Sequence, residues 1–134
     1  MIDLHSSNER VFRELPALGV ARVAAACALE KKALDVVIMD LSSVSFMADY
    51  FVVCTVNTDT HARAVREEIS ERLEGVGLSP RKRDGSDSSG WIVMDWGDLI
   101  VHIFRGSERQ FYDLEGLWGD APRERVTDPG SDPA

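Results

Sequence analysis

The segment Trp91-Ile92-Val93-Met94-Asp95-Trp96-Gly97-Asp98-Leu99-Ile100-Val101-His102-Ile103-Phe104 reads as two strands joined by the dipeptide Gly97-Asp98. That dipeptide suits a two-residue hairpin turn, and a turn of that length sets the register. Trp96 then stands opposite Leu99, Met94 opposite Val101, and Ile92 opposite Ile103. These six share one face, because side chains alternate along a strand and cross-strand partners point the same way. All six are apolar, which makes this the core side.

The intervening pairs are Asp95 with Ile100, Val93 with His102, and Trp91 with Phe104. An unpaired carboxylate such as Asp95 is costly on a fully buried face. Trp91 beside Phe104 is equally out of place on a plain solvent face. An aromatic-centred patch with a charged rim fits a protein-binding surface. The alternative is that a helix or the tail covers this face, with Asp95 and His102 paired beneath it.

On the N-terminal side of the hairpin lie a loop, Asp84 to Gly90, and a candidate edge strand, Leu78 to Arg83, marked by Pro80. Before these, Ala62, Val65, Ile69 and Leu73 form one apolar helical stripe. Asn57 to Thr60 supply N-cap candidates for that helix, and Gly75 or Gly77 its left-handed end. Tyr50 to Val56 and Val36 to Met39 read as strands buried on both faces, with Ser42 to Asp49 connecting them. Pro16 to Lys32 is an alanine-rich helix. On the C-terminal side, Ser107-Glu108-Arg109-Gln110 has the pattern of a capping box. The helix it opens places Phe111, Leu114 and Trp118 on one face. The order α-β-β-α-β-β-β-α gives a single α/β domain with a mixed sheet and flanking helices over residues 17–120. Residues 1–16 form an extension, and 121–134, with three prolines and no apolar period, a disordered tail.

A chain of 134 residues suits one core, and its formal net charge of −8 disfavours nonspecific contact with nucleic acid. Residues 84–120 hold eight acidic side chains against Arg105 and Arg109, a local balance of −6. The basic island Arg81-Lys82-Arg83 just precedes them. A protein of this kind working near nucleic acid would grip a basic protein. Cys27 and Cys54 read as buried thiols in a reducing cytoplasm, and no apolar run reaches the roughly 20 residues of a membrane span. The three histidines are scattered, and neither a metal-ligand motif nor a phosphate-cradling loop occurs. Gly85-Ser86 before the Asp95 strand has the look of a nucleotidyltransferase. Yet no strand carries two carboxylates one residue apart, so a two-metal reaction has no seat. No catalytic residue, metal site or cofactor is expected.

Several stretches resemble the ribosomal silencing factor family, also called Iojap-related proteins. They are Asp35 to Leu41, Ala48 to Thr55, Gly90 to Asp98, Val101 to Phe104, Glu108 to Glu115 and Leu117 to Pro122. The resemblance covers about residues 18–122. It implies a nucleotidyltransferase-like fold without its catalytic carboxylates. It also implies binding to the L-fourteen protein of the large ribosomal subunit, which blocks subunit joining and represses translation when nutrients are scarce. The partner surface expected from both lines is Trp91, Val93, Asp95, Asp98, Ile100, His102 and Phe104 of the hairpin, with Tyr112 and Glu115 of the last helix. Trp91 and Val93 would be the anchor, Asp95 and Asp98 the charged rim. Arg81 to Arg83 could make a minor contact with ribosomal RNA, and the open face would allow a homodimer off the ribosome. No membrane partner is expected. The rivals are a residual nucleotidyltransferase and a generic interaction domain.

Overall fold

A computed structural model describes residues 17–46 and 48–127. The expected extension at 1–16 lies outside the described residues. The elements are α1 (Ala17–Glu30), β1 (Leu34–Asp40), β2 (Tyr50–Val56), α2 (Asp59–Glu74), β3 (Lys82–Asp84), β4 (Trp91–Asp95), β5 (Leu99–Arg105), α3 (Gly106–Tyr112), α4 (Leu114–Leu117) and β6 (Arg123–Arg125).

The six strands form one mixed sheet in the order β3-β4-β5-β2-β1-β6. Its centre is the parallel pair β2 and β5, with Val52 opposite Val101 and Cys54 opposite Ile103. Strands in that position are covered on both faces, which is why their sequences are continuous apolar runs. The other neighbours run antiparallel. The hairpin has the expected register, Trp91 with Phe104 through Asp95 with Ile100. Trp96 N–H donates to the Leu99 carbonyl at 2.8 Å, and Gly97 takes φ +96°, a conformation costly for any residue with a Cβ.

One face packs beneath α1 and α2. Ala21, Ala24, Ala25 and Ala28 let α1 approach the sheet closely, and Val65, Ile69 and Leu73 of α2 meet Ile92, Met94, Val101 and Ile103. Thr58 caps α2 by accepting from His61 N–H at 3.0 Å. At the other end Gly75 stays right-handed, and Gly77 takes the left-handed position, with Leu78 N–H reaching the Leu73 carbonyl. The second face gathers Met39, Phe51, Val53, Ile100, Phe104, Leu114 and Ala121.

Three expectations are corrected. The segment from Ala121 was expected to be a disordered tail, but Arg123–Arg125 adds to the sheet edge beside β1. Its backbone holds it there: Asp40 N–H donates to the Pro122 carbonyl and Val126 N–H to that of Val36, both at 2.8 Å. Ala121 is buried; residues 128–134 lie outside the described residues. Second, Ser107 is no N-cap. Arg105 occupies that position without a side-chain cap, and the Ser107 hydroxyl turns to Glu108 instead. Third, the last helix is two short ones, broken at Asp113, which is left-handed with φ +45° and caps α4 through Gly116 N–H. The break separates Phe111, which is exposed, from Leu114 and Trp118, which pack on the second face.

Candidate protein-binding face

The second face of the hairpin is half covered. Trp91 is its pivot. Its indole stacks on Phe104 (centroids 5.0 Å apart) and packs against Tyr112 at 4.5 Å. Its Nε1–H donates to His102 Nδ1 at 3.1 Å. Phe111 meets the Tyr112 ring edge-on at 5.0 Å. The rings thus grade outward: Phe104 is fully buried, Trp91 half-buried, Tyr112 47% and Phe111 81% exposed. Leu117 on α4 is 70% exposed.

Not every expected contact residue can touch a partner. Ile100, His102 and Phe104 are buried beneath the rings and the short helices, so they form the floor of the face and not its surface. Burial drives the His102 imidazole down to about 4, so it is neutral at physiological pH. With Nδ1 accepting from Trp91, its proton sits on Nε2, which has no hydrogen-bond partner among the described residues. That nitrogen belongs to a ring seated edge-on against Phe51 at 4.5 Å. His102 is therefore a packing residue. Asp95 does not pair with it; its carboxylate accepts from Gly97 N–H at 2.8 Å and braces the turn. Asp98 is exposed at the turn, and its carbonyl accepts from Asp49 and Tyr50 N–H at 2.9 and 3.0 Å. Val93 is half-buried on the same side as Trp91 and Asp95.

Glu115 is already engaged. Arg109 Nε and Nη2 donate to its two oxygens at 3.1 and 2.9 Å. Nη1 of the same guanidinium donates to the Asp35 carbonyl at 2.7 Å and to Thr55 Oγ1 at 2.9 Å. One arginine thus ties α3 and α4 to the ends of β1 and β2. Sequence reasoning missed this tie, and it missed Phe111 and Leu117 as surface. Arg109 and Glu115 are six residues apart, a spacing no continuous helix brings together, so only the break at Asp113 makes the pair.

Burial raises the thiols of Cys27 and Cys54 to about 11 and about 12, so both stay protonated at neutral pH. Among the described residues, no group of three His, Cys, Asp or Glu side chains is placed to hold a metal ion.

Residues 14–134 match the family described as "Ribosomal silencing factor during starvation". The chain belongs to the ribosomal silencing factor family. It is 39% identical over 103 residues to the ribosomal silencing factor of Bacillus subtilis, covering 77% of this chain and 87% of that protein. It is 28% identical over 100 residues to the chloroplastic Iojap protein of Zea mays, 72% of this chain and 42% of that longer one. The fold is that of a Chromobacterium violaceum protein, with a TM-score of 0.75 at 21% identity, covering 87% of this chain and 98% of the other. A Bacillus halodurans crystal structure aligns with a TM-score of 0.67 at 29% identity, over 82% and 97% of the two chains. Family membership places this chain among proteins named as ribosomal silencing factors.

Proposed function

We propose that the chain docks on the L-fourteen protein of the large ribosomal subunit through the half-covered face and so blocks joining of the small subunit. Translation is repressed in the cytoplasm when nutrients are scarce. The observation that supports this most is the graded aromatic series, Phe111 and Tyr112 standing out from Trp91, beside the carboxylates Asp95 and Asp98. Aromatic side chains with a partly desolvated base are the usual anchors of protein interfaces, and acidic rims suit a lysine- and arginine-rich ribosomal protein. About 800 Å² per partner suffices for a stable complex. Inhibition then needs no bond chemistry, only a bound body in the path of the small subunit. The exposed rings also suit pairing with a second copy when no ribosome is present.

The test is co-sedimentation with purified large subunits, followed by a subunit-joining assay. Tyr112→Ala should weaken binding about tenfold or more, the effect of a moderate hot spot, and relieve the block on joining. Asp98→Lys sets like charge against a basic partner and should slow association most at low salt. A wild-type chain that stays in the supernatant sinks the proposal.

A further inference from the structure

The basic island on β3 is divided by the strand between the two faces of the sheet. Arg83 stands opposite Met94, whose side chain lies in the core beneath α2, so Arg83 points to the helix-bearing side. Arg81, the residue before β3, donates its N–H to the Asp95 carbonyl at 2.6 Å, and its side chain lies against the Gly97 turn. Lys82 stands opposite Asp95 on the other side and approaches Asp84 at 3.5 Å. To the helix-bearing side α2 adds Arg63 and Arg66, one turn apart.

Asp87 sits among these arginines. Nε and Nη2 of Arg66 donate to its two oxygens at 2.8 and 3.1 Å. Those bonds, with the charges of Arg66, Arg83 and Arg63, hold its carboxyl below the usual carboxylate range. Arg66 also lies 3.7 Å from Glu67. Four arginines therefore share two carboxylates, a local excess of +2 on a chain of net charge −8. Arg63, Arg81 and Arg83 are exposed and form no ion pair within 4.0 Å among the described residues.

We propose that this arginine edge binds the phosphodiester backbone of RNA next to the protein contact, an inference that rests on the large-subunit docking proposed above. The guanidinium fork matches phosphate oxygens in pairs, which an ammonium cannot do. Arg81 and Arg83 stand about 7 Å apart along the strand. That is within the Debye length of about 8 Å at physiological salt, so they act on a polyanion together. On a chain of net charge −8, this arginine excess makes the edge a side on which RNA can approach. Geometry supplies the link to docking. β4 carries Val93 and Asp95 on the partner side and β3 is the sheet edge directly beside it, so RNA that reaches round this edge from a ribosomal protein seated there meets the arginines on the helix-bearing side.

The experiment compares the full chain with the double variant Arg81→Gln/Arg83→Gln. Each is titrated against purified large subunits over a range of salt, and against the isolated L-fourteen protein. The double variant should melt like the wild type and bind subunits several-fold more weakly. Its plot of log affinity against log salt should be shallower by about 2, roughly one per lost phosphate contact. Arg63→Gln, on a different element, should flatten the slope by about 1. Binding to the isolated protein should not change. Unaltered affinity and slope overturn the RNA site while docking stands. An equal loss on the isolated protein also overturns it, since the arginines then face protein. Failure of the wild-type chain to bind subunits at all removes the docking itself, and the RNA site with it.

Discussion

The two faces of the central sheet are closed by different means. Under α1 and α2, helices of 14 and 16 residues cover the side chains of β2, β4 and β5 so completely that Val52, Cys54, Val101 and Ile103 are essentially without exposure. On the other face, helices of seven and four residues shield Ile100, His102 and Phe104 but leave Tyr112, Phe111 and Leu117 in solvent. Long amphipathic helices bury a face by their own apolar stripe. Short ones cannot, and α3 buries none of its own residues. They are held instead by side-chain bonds from Arg109 and by the packing of Tyr112 against Trp91. The first face is a stability device; the second is fastened at a few points and keeps apolar surface for a partner.

That contrast breaks most visibly at Ile103, which is 1% exposed under α1 and α2 opposite Ile92. Ile103→Asp buries a carboxylate with no partner there, at a cost of about 4 kcal/mol or more. Loss of the cooperative thermal transition is expected, and a normal melt would show that the face is less closed than its burial indicates.

The second face has its own signature in pH. His102 is held neutral by burial, with its folded-state value at about 4 against the ordinary 6.5. Above pH 6.5 both folded and unfolded states are neutral at this residue, and it adds no pH dependence. As the pH falls from 6.5 towards 4, the unfolded chain takes up the proton and the folded chain does not. Stability should therefore drop across that window, by about 3 kcal/mol in all. His102→Phe should flatten the melting temperature over pH 4 to 6.5. Losses from Asp87, Asp40 and Glu108, whose carboxyls are held below their usual range, begin at about pH 5 and overlap only the acid end of that window, so the His102 effect reads cleanly between about pH 5 and 6.5.

How far the sequence reveals these differences depends on the range of the interactions involved. The hairpin register was legible because a two-residue turn and an alternating pattern are local signals, and both faces of β4 and β5 follow from them. What covers the second face was not. The helix break rests on Asp113 adopting a left-handed conformation, which aspartate tolerates but does not announce. Arg109 finds Thr55 and the Asp35 carbonyl 54 and 74 residues away, contacts with no periodic trace. β6 is Arg-Glu-Arg, with no apolar pattern, and is held by its backbone and by side-chain bonds to Arg22, Asp35 and the Glu115 and Trp118 carbonyls, so composition made it look like tail. Of the expected surface, Trp91, Val93, Asp95, Asp98 and Tyr112 keep some exposure, and Ile100, His102 and Phe104 do not.

The fastening itself can be cut. Arg109 has 12% of its side chain exposed and Glu115 28%, so the pair is mostly shielded from water. Arg109→Ala leaves the Glu115 carboxylate and the Asp35 carbonyl without their donor, at a cost of about 2 kcal/mol after allowing for the remaining solvent. The damage should be local, a lowered melting temperature with faster amide exchange in α3 and α4. Arg109→Lys should not restore it, because an ammonium cannot reach a bidentate carboxylate, a carbonyl and a hydroxyl together. Equal loosening of α1 and α2 would mean that the two faces are not independently closed.

The smallest effect on the fold should come from the outermost ring. Phe111 is 81% exposed, and among the described residues its one ring contact is the edge of Tyr112. Phe111→Ser therefore removes little buried area, and its stability should stay within about 0.5 kcal/mol of the wild type. Serine keeps the chain soluble and, in the last turn of α3, weakens the helix only slightly. If the exposed rings are kept for a partner, the same variant should bind the large subunit several-fold more weakly, because a desolvated aromatic side chain carries a disproportionate share of interface energy. Melting and subunit binding measured on one preparation separate the two quantities. A change in melting with no change in binding would place Phe111 with the stability devices and confine the partner surface to Trp91, Tyr112 and the acidic rim. No change in either would leave Leu117, exposed on α4, as the next apolar side chain to remove.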